Sequence, residues 1–174
     1  EAIKLEYLIP KVKEMLKDIN IYSQEYKISS KRFIGYADLI TRNADKTVDI
    51  FDFKYSNNIQ NYLESDQLHI YKYFLEQQGF KVDALGFIFI PKISIKQKQD
   101  ENLYQFRKRL VAELKTAEIK ILPISYDGNK VAEFFNNVID TYEITEYTKN
   151  PTRLCDWCEY KLLCMKGENY MILP

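Results

Sequence analysis

The sequence has little histidine and cysteine, no excess of either charge and no long apolar run, and these shortages narrow its class. Lysine plus arginine and aspartate plus glutamate both number 25 among 174 residues, so the formal net charge is zero. A protein that coats nucleic acid regardless of sequence needs a basic field over its surface, and this class is therefore disfavoured. No apolar stretch is long enough to cross a bilayer, so no association with a membrane is predicted. The length suits one domain with its own core.

The segment Val48–Tyr55 is rich in β-branched and aromatic residues, which predicts a strand buried on both faces. A charge inside such a strand is costly and needs a role. Asp52 and Lys54 are two residues apart, so they project from the same face near the C-terminal end of the strand. An Asp-x-Lys pair is common by itself, and an exposed ion pair is its ordinary interpretation. What favours a small polar site on an apolar support is a further polar pair later in the chain, Gln67 and Tyr71.

A second predicted strand, Arg32–Ile40, carries one acidic residue, Asp38, among apolar neighbours. The polar link of residues 41–47 is short enough for a hairpin, which would bring Asp38 close to Asp52. Two carboxylates that close repel each other unless a cation lies between them. Carboxylate oxygens with room for water suit Mg²⁺ or Mn²⁺, and a neighbouring lysine can polarise a water for attack on phosphorus.

A helix is predicted to begin near Asp66, and its spacing places Gln67 and Tyr71 on one face. Three motifs now stand in order: Gly35-Tyr36-Ala37-Asp38, Asp52-Phe53-Lys54 and Gln67-x-x-x-Tyr71. This order resembles the RecB-like branch of the PD-(D/E)XK nuclease superfamily.

The resemblance implies roles for six of these positions. Asp38, Asp52 and the backbone carbonyl of Phe53 would bind the catalytic metal, with Asp52 standing where many members have Glu. Lys54 would prepare the nucleophilic water. Gln67 and Tyr71 would support the site and contact DNA.

All three cysteines, Cys155, Cys158 and Cys164, lie near the C-terminus with the spacing C-x2-C-x5-C. This cluster resembles the C-terminal iron–sulfur motif of AddB-type and CRISPR-associated RecB-like nucleases, in which a fourth cysteine lies upstream of the core. No such cysteine is present here. Four explanations stay open: a [4Fe-4S] cluster whose fourth ligand lies in a segment before Glu1, an unusual fourth ligand, a zinc site, or free thiols. An odd cysteine count without a signal-peptide pattern predicts a reducing, cytoplasmic location rather than disulfides.

Other polar residues are weaker candidates for the site. An upstream helix often supplies a further His or Glu in RecB-like nucleases, and Glu6 and Glu14 are the candidates here, although a solvated helix face is the simpler interpretation. Glu25 is expected on the surface, and His69 is expected to be a polar or interface residue unless it contacts a phosphate. A basic set forms the best candidate for a phosphate-tracking surface: Lys92, Lys96, Lys98, Arg107, Lys108 and Arg109.

The order of predicted elements fits an α/β domain with a mixed central β-sheet flanked by helices, a restriction-endonuclease-like core. We expect this core to span residues 1–145 and a small cysteine lobe, residues 146–174, to pack on it. The expected function is that of a Mg²⁺- or Mn²⁺-dependent deoxyribonuclease, an exonuclease in recombination, repair or foreign-DNA processing. DNA and a helicase or recombination protein are the expected partners. The alternatives are a catalytically silent nucleic-acid-binding or docking module and a zinc-stapled interaction domain.

Overall fold

The computed structural model describes residues 1–146 and 149–166. Its elements, in chain order, are α1 Ala2–Met15, β1 Ile21–Ser29, β2 Ile34–Arg42, β3 Val48–Tyr55, α2 Gln60–Leu63, α3 Gln67–Gln77, β4 Val82–Ile90, α4 Leu103–Thr116, β5 Lys120–Ile124, α5 Gly128–Glu143, a 3₁₀ helix Arg153–Trp157 and α6 Lys161–Lys166. Contacts divide the chain into two compact units, with the division between Phe135 and Asn136. Each unit is described by itself.

The first unit is built on a five-stranded sheet in the order β1-β2-β3-β4-β5. Strands β3 and β4 are parallel, and every other neighbouring pair is antiparallel. The parallel pair requires a crossover, which α2 and α3 supply. The predicted α/β architecture, a mixed sheet flanked by helices, is therefore confirmed.

The hairpin predicted between β2 and β3 is present. Arg42 pairs with Val48, and the N–H of Asn43 donates to the carbonyl of Thr47 at 2.9 Å. Lys46 takes the left-handed conformation that closes this tight link, with φ of 71°. The loop therefore fixes the register that brings the two acidic strands together.

One core lies between the sheet and α3. Strand alternation directs Leu85, Phe87 and Phe89 of β4 into this core, where they meet Leu68 and Leu75 of α3. A second cluster packs α1 on α4 through Leu8, Leu110 and Leu114, and Ile90 of β4 contacts it. Ile90 follows the opposite alternation from Phe89, so α3 and the α1–α4 pair cover opposite faces of the sheet.

Three local predictions were wrong. The β3 strand is not buried on both faces, because its residues alternate between buried and half-buried up to Lys54. The polar composition of residues 56–64 predicts a link, but this segment contains the short helix α2, because Tyr62 packs against the first core and holds that turn in place. Pro10 is predicted to lie in the first turn of a helix, but α1 begins at Ala2 and continues past Pro10.

The second unit contains the end of α5, the 3₁₀ helix and α6. Thr152 begins the 3₁₀ helix by accepting the N–H of Leu154 on its hydroxyl, and its own N–H donates to Cys155 Sγ at 3.2 Å. Lys161 at the start of α6 pairs with Asp156 at 2.7 Å. Within the described residues, no helix has the length and apolar character needed to span a membrane.

Candidate active site

The candidate site lies where β2 and β3 stop pairing. Leu39 opposite Phe51 is the last pair of this ladder toward the C-terminal end of β3. Beyond it, the N–H of Phe53 donates to Asp38 Oδ2 at 2.8 Å instead of to a backbone carbonyl. One carboxylate oxygen of Asp38 is thus fixed by the neighbouring strand. The other oxygen is left for a different partner.

Asp52 is the most buried charge of the site, with 2% of its surface exposed. Burial raises the pKa of its carboxyl above the ordinary value of 3.8, the negative charge of Asp38 raises it further, and the contact with Lys54 opposes both effects. No described residue donates a well-directed hydrogen bond to Asp52 Oδ2. Burying this carboxylate is costly unless a cation lies beside it, as Lys54 does.

Lys54 lies beside this oxygen and is held from two sides. Its Nζ is 2.5 Å from Asp52 Oδ2 and donates to Gln67 Oε1 at 3.1 Å. The same ammonium lies 5.2 Å from the ring centre of Tyr62 and 5.5 Å from that of Phe87. Aromatic faces stabilise a partly desolvated ammonium, so Lys54 is positioned by aromatic rings as well as by hydrogen bonds.

Gln67 and Tyr71 extend this chain along α3. Gln67 Nε2 donates to the hydroxyl of Tyr71 at 3.1 Å, as their spacing of four on a helix allows. Tyr71 in turn packs against β2 at Gly35, where an added Cβ would lie 2.9 Å from Tyr71 Cε1. Gly35 therefore supplies the space that lets α3 approach the sheet. The structure joins four predicted side chains, those of Asp52, Lys54, Gln67 and Tyr71, in one connected group, and Asp38 is held beside this group by the backbone N–H of Phe53.

The start of α5 anchors the N-terminal end of α3. The N–H of Asp127 donates to Nδ1 of the buried His69 at 3.1 Å, and Lys130 Nζ donates to the carbonyl of Glu64 at 2.6 Å. Lys130 also lies 3.4 Å from Asp66 Oδ1. Burial lowers the pKa of His69 below 6.5, and the charge of Lys130 lowers it further. His69 is thus a buried interface residue, as expected, and not a surface group that contacts phosphate.

The residues present fit a magnesium-like ion. The carboxylates of Asp38 and Asp52 come from adjacent strands and lie close enough to repel each other, since the charge of Asp38 raises the pKa of Asp52. Mg²⁺ keeps several waters and commonly binds proteins through one or two carboxylates. Within residues 1–146 and 149–166, no three side chains of His, Cys, Asp or Glu are placed around one point. A backbone oxygen such as that of Phe53, together with water, would have to complete the coordination.

Three further acidic candidates are not drawn into the site. Glu6 and Glu25 are exposed, and Glu14 is exposed and lies 3.5 Å from Lys17. Glu25 has a φ of 49°, a left-handed conformation that is uncommon within a strand, at the point where the β1–β2 register passes from Tyr26 to Gln24. A surface position, which the sequence favoured for all three, is what the structure shows.

The basic residues proposed to track phosphates differ in their surroundings: Arg109 is bound within the protein, whereas Arg107 and Lys108 are exposed. Arg109 donates to Glu101 through Nε at 2.9 Å and Nη2 at 2.7 Å, and these bonds hold the pKa of Glu101 to about 2. Arg109 Nη2 also donates to the carbonyl of Lys96. Arg109 therefore ties the loop before α4 to the helix. Arg107 and Lys108 are exposed on a different side of α4.

The three cysteines do not lie together as the residues of the candidate active site do. Cys155 is half-buried, Cys158 and Cys164 are exposed, and all three are free thiols. They are not grouped to hold a metal within the part of the chain that is described. The thiol positions therefore do not match the four-thiolate ligation of an iron–sulfur cluster.

Two contributors to the site escaped sequence reasoning. Tyr62 lies in a segment whose polar composition predicts a link, and only helix α2 places its ring beside Lys54. Gly35 belongs to the Gly-Tyr-Ala-Asp motif, but the sequence does not predict that it lies against Tyr71, 36 positions further along the chain. No local pattern reports a contact of that range.

A mixed sheet with two acids and a lysine where two strands separate defines the restriction-endonuclease-like class of α/β domains. Residues 4–165 match the family model of the PD-(D/E)XK nuclease superfamily, and the chain belongs to this superfamily. No curated protein matches the sequence. Among solved structures, the crystal structure of SSO0001 is similar, with 14% identity, coverage of 94% of this chain and 69% of that chain, and a TM-score of 0.44. Members of the superfamily are usually nucleases that use divalent metals such as Mg²⁺.

Proposed function

We propose that this protein is a metal-dependent deoxyribonuclease of the RecB-like branch. The observation that carries the proposal is that Asp38, Asp52 and Lys54 lie together where β2 and β3 separate, with Asp52 buried and close enough to Asp38 for the charge of Asp38 to raise the Asp52 pKa. A buried ion pair is a poor solution for stability alone, because removing its two charges from water offsets most of their attraction. It is a good solution for binding a cation.

In this proposal Asp38, Asp52 and the carbonyl of Phe53 would hold Mg²⁺ or Mn²⁺, which would supply Lewis-acid charge for the negative charge that develops on the phosphate. The Phe53 N–H orients Asp38 for its part by holding one carboxylate oxygen. Because the pKa of Asp52 is raised, protons compete with the ion for this carboxylate more strongly than for an ordinary aspartate.

Lys54 orients the nucleophilic water and brings positive charge to the scissile phosphate. Gln67 holds the Lys54 ammonium at 3.1 Å and is itself held by Tyr71. The ammonium therefore occupies one position before substrate arrives, so little reorganisation is required during the reaction. Gln67 and Tyr71 also lie at the beginning of α3, where they can contact DNA that approaches the site.

Exonucleolytic action and a role in recombination, repair or foreign-DNA processing follow from the same resemblance to RecB-like nucleases. The order of the three motifs supports it. A helicase or recombination protein is the expected protein partner. An iron–sulfur cluster on Cys155, Cys158 and Cys164 stays a prediction from the resemblance of this cysteine motif to that of AddB-type and CRISPR-associated RecB-like nucleases.

A docking module without catalysis is the second candidate, and one observation favours it. The second unit exposes large apolar side chains, with 77% of Leu154, 88% of Trp157 and 70% of Met165 accessible. Exposed aromatic and apolar residues in one short segment are typical of an interaction surface. This candidate requires no cleavage and predicts that the acids are dispensable.

The deciding experiment is cleavage of end-labelled single- and double-stranded DNA by anaerobically purified protein with Mg²⁺, Mn²⁺ or EDTA. The Lys54→Ala variant is tested beside the wild type, and circular dichroism verifies that it folds. Metal-dependent cutting that the variant loses supports the proposal, and the product ladder gives the polarity. Full activity in a folded Lys54→Ala variant removes the mechanism, and a folded wild type that never cuts favours the docking module.

A further inference from the structure

Helix α4 presents a basic face that the candidate active site does not use. Tyr104, Arg107, Lys108 and Lys115 are exposed along it, with Tyr104 75% accessible. Their spacing of three, four and seven residues places them on one side of the helix. Together with Val111 and Ala112 they line a groove of about 420 Å³. We call these four exposed residues the α4 surface.

The charges of α4 are segregated. Glu113 lies four residues after Arg109, and both belong to the side on which Arg109 pairs with Glu101. No carboxylate lines the groove. Among the described residues, Arg107, Lys108 and Lys115 form no side-chain ion pair or hydrogen bond. Three unneutralised cations on one side of a helix, in a chain with no net charge, favour a polyanionic partner.

The C-terminal end of α4 leads toward the catalytic edge of the sheet. Helix α4 ends at Thr116, and β5 begins at the exposed Lys120. Lys120 is in register with Phe89, which is in register with Lys54. Two strand spacings separate the backbones of Lys54 and Lys120, roughly 10 Å. Between Lys115 and Lys120 the only carboxylate is Glu118.

We propose that the α4 surface binds single-stranded nucleic acid and directs the strand past Lys120 to the site. This inference rests on the proposed nuclease function and deepens it by naming the substrate form. Arg107, Lys108 and Lys115 contact phosphates, and the exposed ring of Tyr104 stacks on an unpaired base. A basic groove with an aromatic platform is how proteins hold single strands, and a duplex offers no free base face for the ring.

The test measures binding of a fluorescent oligothymidylate in EDTA, where no cleavage occurs. The first variant combines Arg107→Gln, Lys108→Gln and Lys115→Gln, and the second is Tyr104→Ala. The matched control combines Lys13→Gln, Lys27→Gln and Lys31→Gln, which removes the same charge from exposed positions elsewhere. Circular dichroism and thermal unfolding verify that every variant folds.

We expect the α4 triple variant to bind the oligonucleotide at least about tenfold more weakly. The plot of log K against log salt should become less steep by about 2, since each phosphate contact on a single strand contributes roughly 0.7 to the magnitude of the slope. Tyr104→Ala should weaken single-strand binding at least about fivefold, leave the salt slope unchanged and affect a duplex much less. Equal weakening by the control triple would overturn the inference. So would unchanged binding in the α4 variants, or a preference of the wild type for anionic vesicles over the oligonucleotide.

Cleavage assays separate this inference from the function on which it rests. If the protein cuts DNA in a metal-dependent way but the α4 variants bind the oligonucleotide normally, the nuclease function is supported and the role of the α4 surface is wrong. Binding that the α4 variants lose, in a protein that never cuts, keeps the surface and removes the nuclease.

Discussion

The backbone N–H of Phe53 donates to Asp38 Oδ2 across 2.8 Å, so a side chain takes over where the backbone ladder of β2 and β3 ends. This bond gives Asp38 a structural role and a proposed metal-binding role at once. Asp38→Ala leaves the Phe53 donor without its acceptor and should lower the free energy of unfolding by about 1–3 kcal/mol. Asp38→Asn keeps a carbonyl oxygen for that donor but loses the charge. Urea unfolding should therefore separate the two variants, while DNA cleavage is lost in both. An active, folded Asp38→Asn variant would contradict the proposed role.

Asp52 should make the protein less stable as pH rises. Its folded pKa lies above 3.8, so the folded state holds the proton more tightly than the unfolded chain does, and stability falls as pH rises from about 4 through the raised pKa. Asp52→Asn should therefore be more stable than the wild type at neutral pH, and the difference should vanish near pH 4. Urea unfolding from pH 4 to 8 measures this, with the exposed Asp83→Asn as control. A difference that grows toward low pH would have the wrong sign.

Divalent metal should stabilise the wild type through the same carboxylate. Saturation at about 100 times Kd adds roughly 2.7 kcal/mol of stability, which raises Tm by about 5–11 °C for a chain of this size. Asp52→Asn should lose most of this shift because its amide carries no charge. Thermal unfolding with Mg²⁺, Mn²⁺ or EDTA provides the measurement, and Asp83→Asn should respond like the wild type. An equal shift in Asp52→Asn would place the ion elsewhere.

Gln67 should control cleavage through Lys54. Its removal leaves the ammonium without its 3.1 Å acceptor, and loss of such a supporting contact typically costs about 10- to 100-fold in metal affinity or activity. Gln67→Ala should therefore cut DNA more slowly than the wild type but faster than Lys54→Ala. Gln77→Ala, an exposed change on the same helix, is the control. If both glutamine variants keep wild-type rates, the Gln67 contact has no part in catalysis.

Gly35→Ala should reduce activity by more than its effect on stability explains. The new Cβ would lie 2.9 Å from Tyr71 Cε1, which displaces the side chain that holds Gln67. Overpacking of this kind costs about 1–3 kcal/mol. Gly86→Ala is a matched control because its Cβ would lie 3.0 Å from Phe51 Cε1, away from Tyr71. Unfolding and cleavage measured on both variants should show similar stability losses but a larger activity loss for Gly35→Ala.

The spacing of the three cysteines predicts a bound metal, and metal analysis of the purified protein can measure its identity and stoichiometry. If the cysteines bind an iron–sulfur cluster, anaerobically purified protein should contain iron and acid-labile sulfide and should show the visible absorbance of such a cluster. Zinc alone would indicate a structural zinc site. The triple variant Cys155→Ser, Cys158→Ser and Cys164→Ser should lose this metal but keep the Mg²⁺-dependent thermal shift. Neither iron nor zinc in the wild type would leave the three residues as free thiols.

The local chemistry of the sequence determined the elements that carry the site. Alternation in β3 placed Asp52 and Lys54 on one face, and the short polar link determined the hairpin with β2, because side-chain period and loop length act over a few residues. Helical spacing likewise placed Gln67 beside Tyr71. These features required no knowledge of distant contacts.

Only the tertiary structure decided how these parts meet. It placed the Tyr62 ring beside Lys54, fitted Tyr71 against Gly35 and paired Arg109 with Glu101. It also buried Asp52 and placed Asp38 near it, and both effects raise the pKa of Asp52. Burial and the partners of a charge depend on how whole elements pack, and residues far apart in the chain decide that packing. For this reason the sequence pointed to the residues of the site, whereas the fold determined their electrostatics.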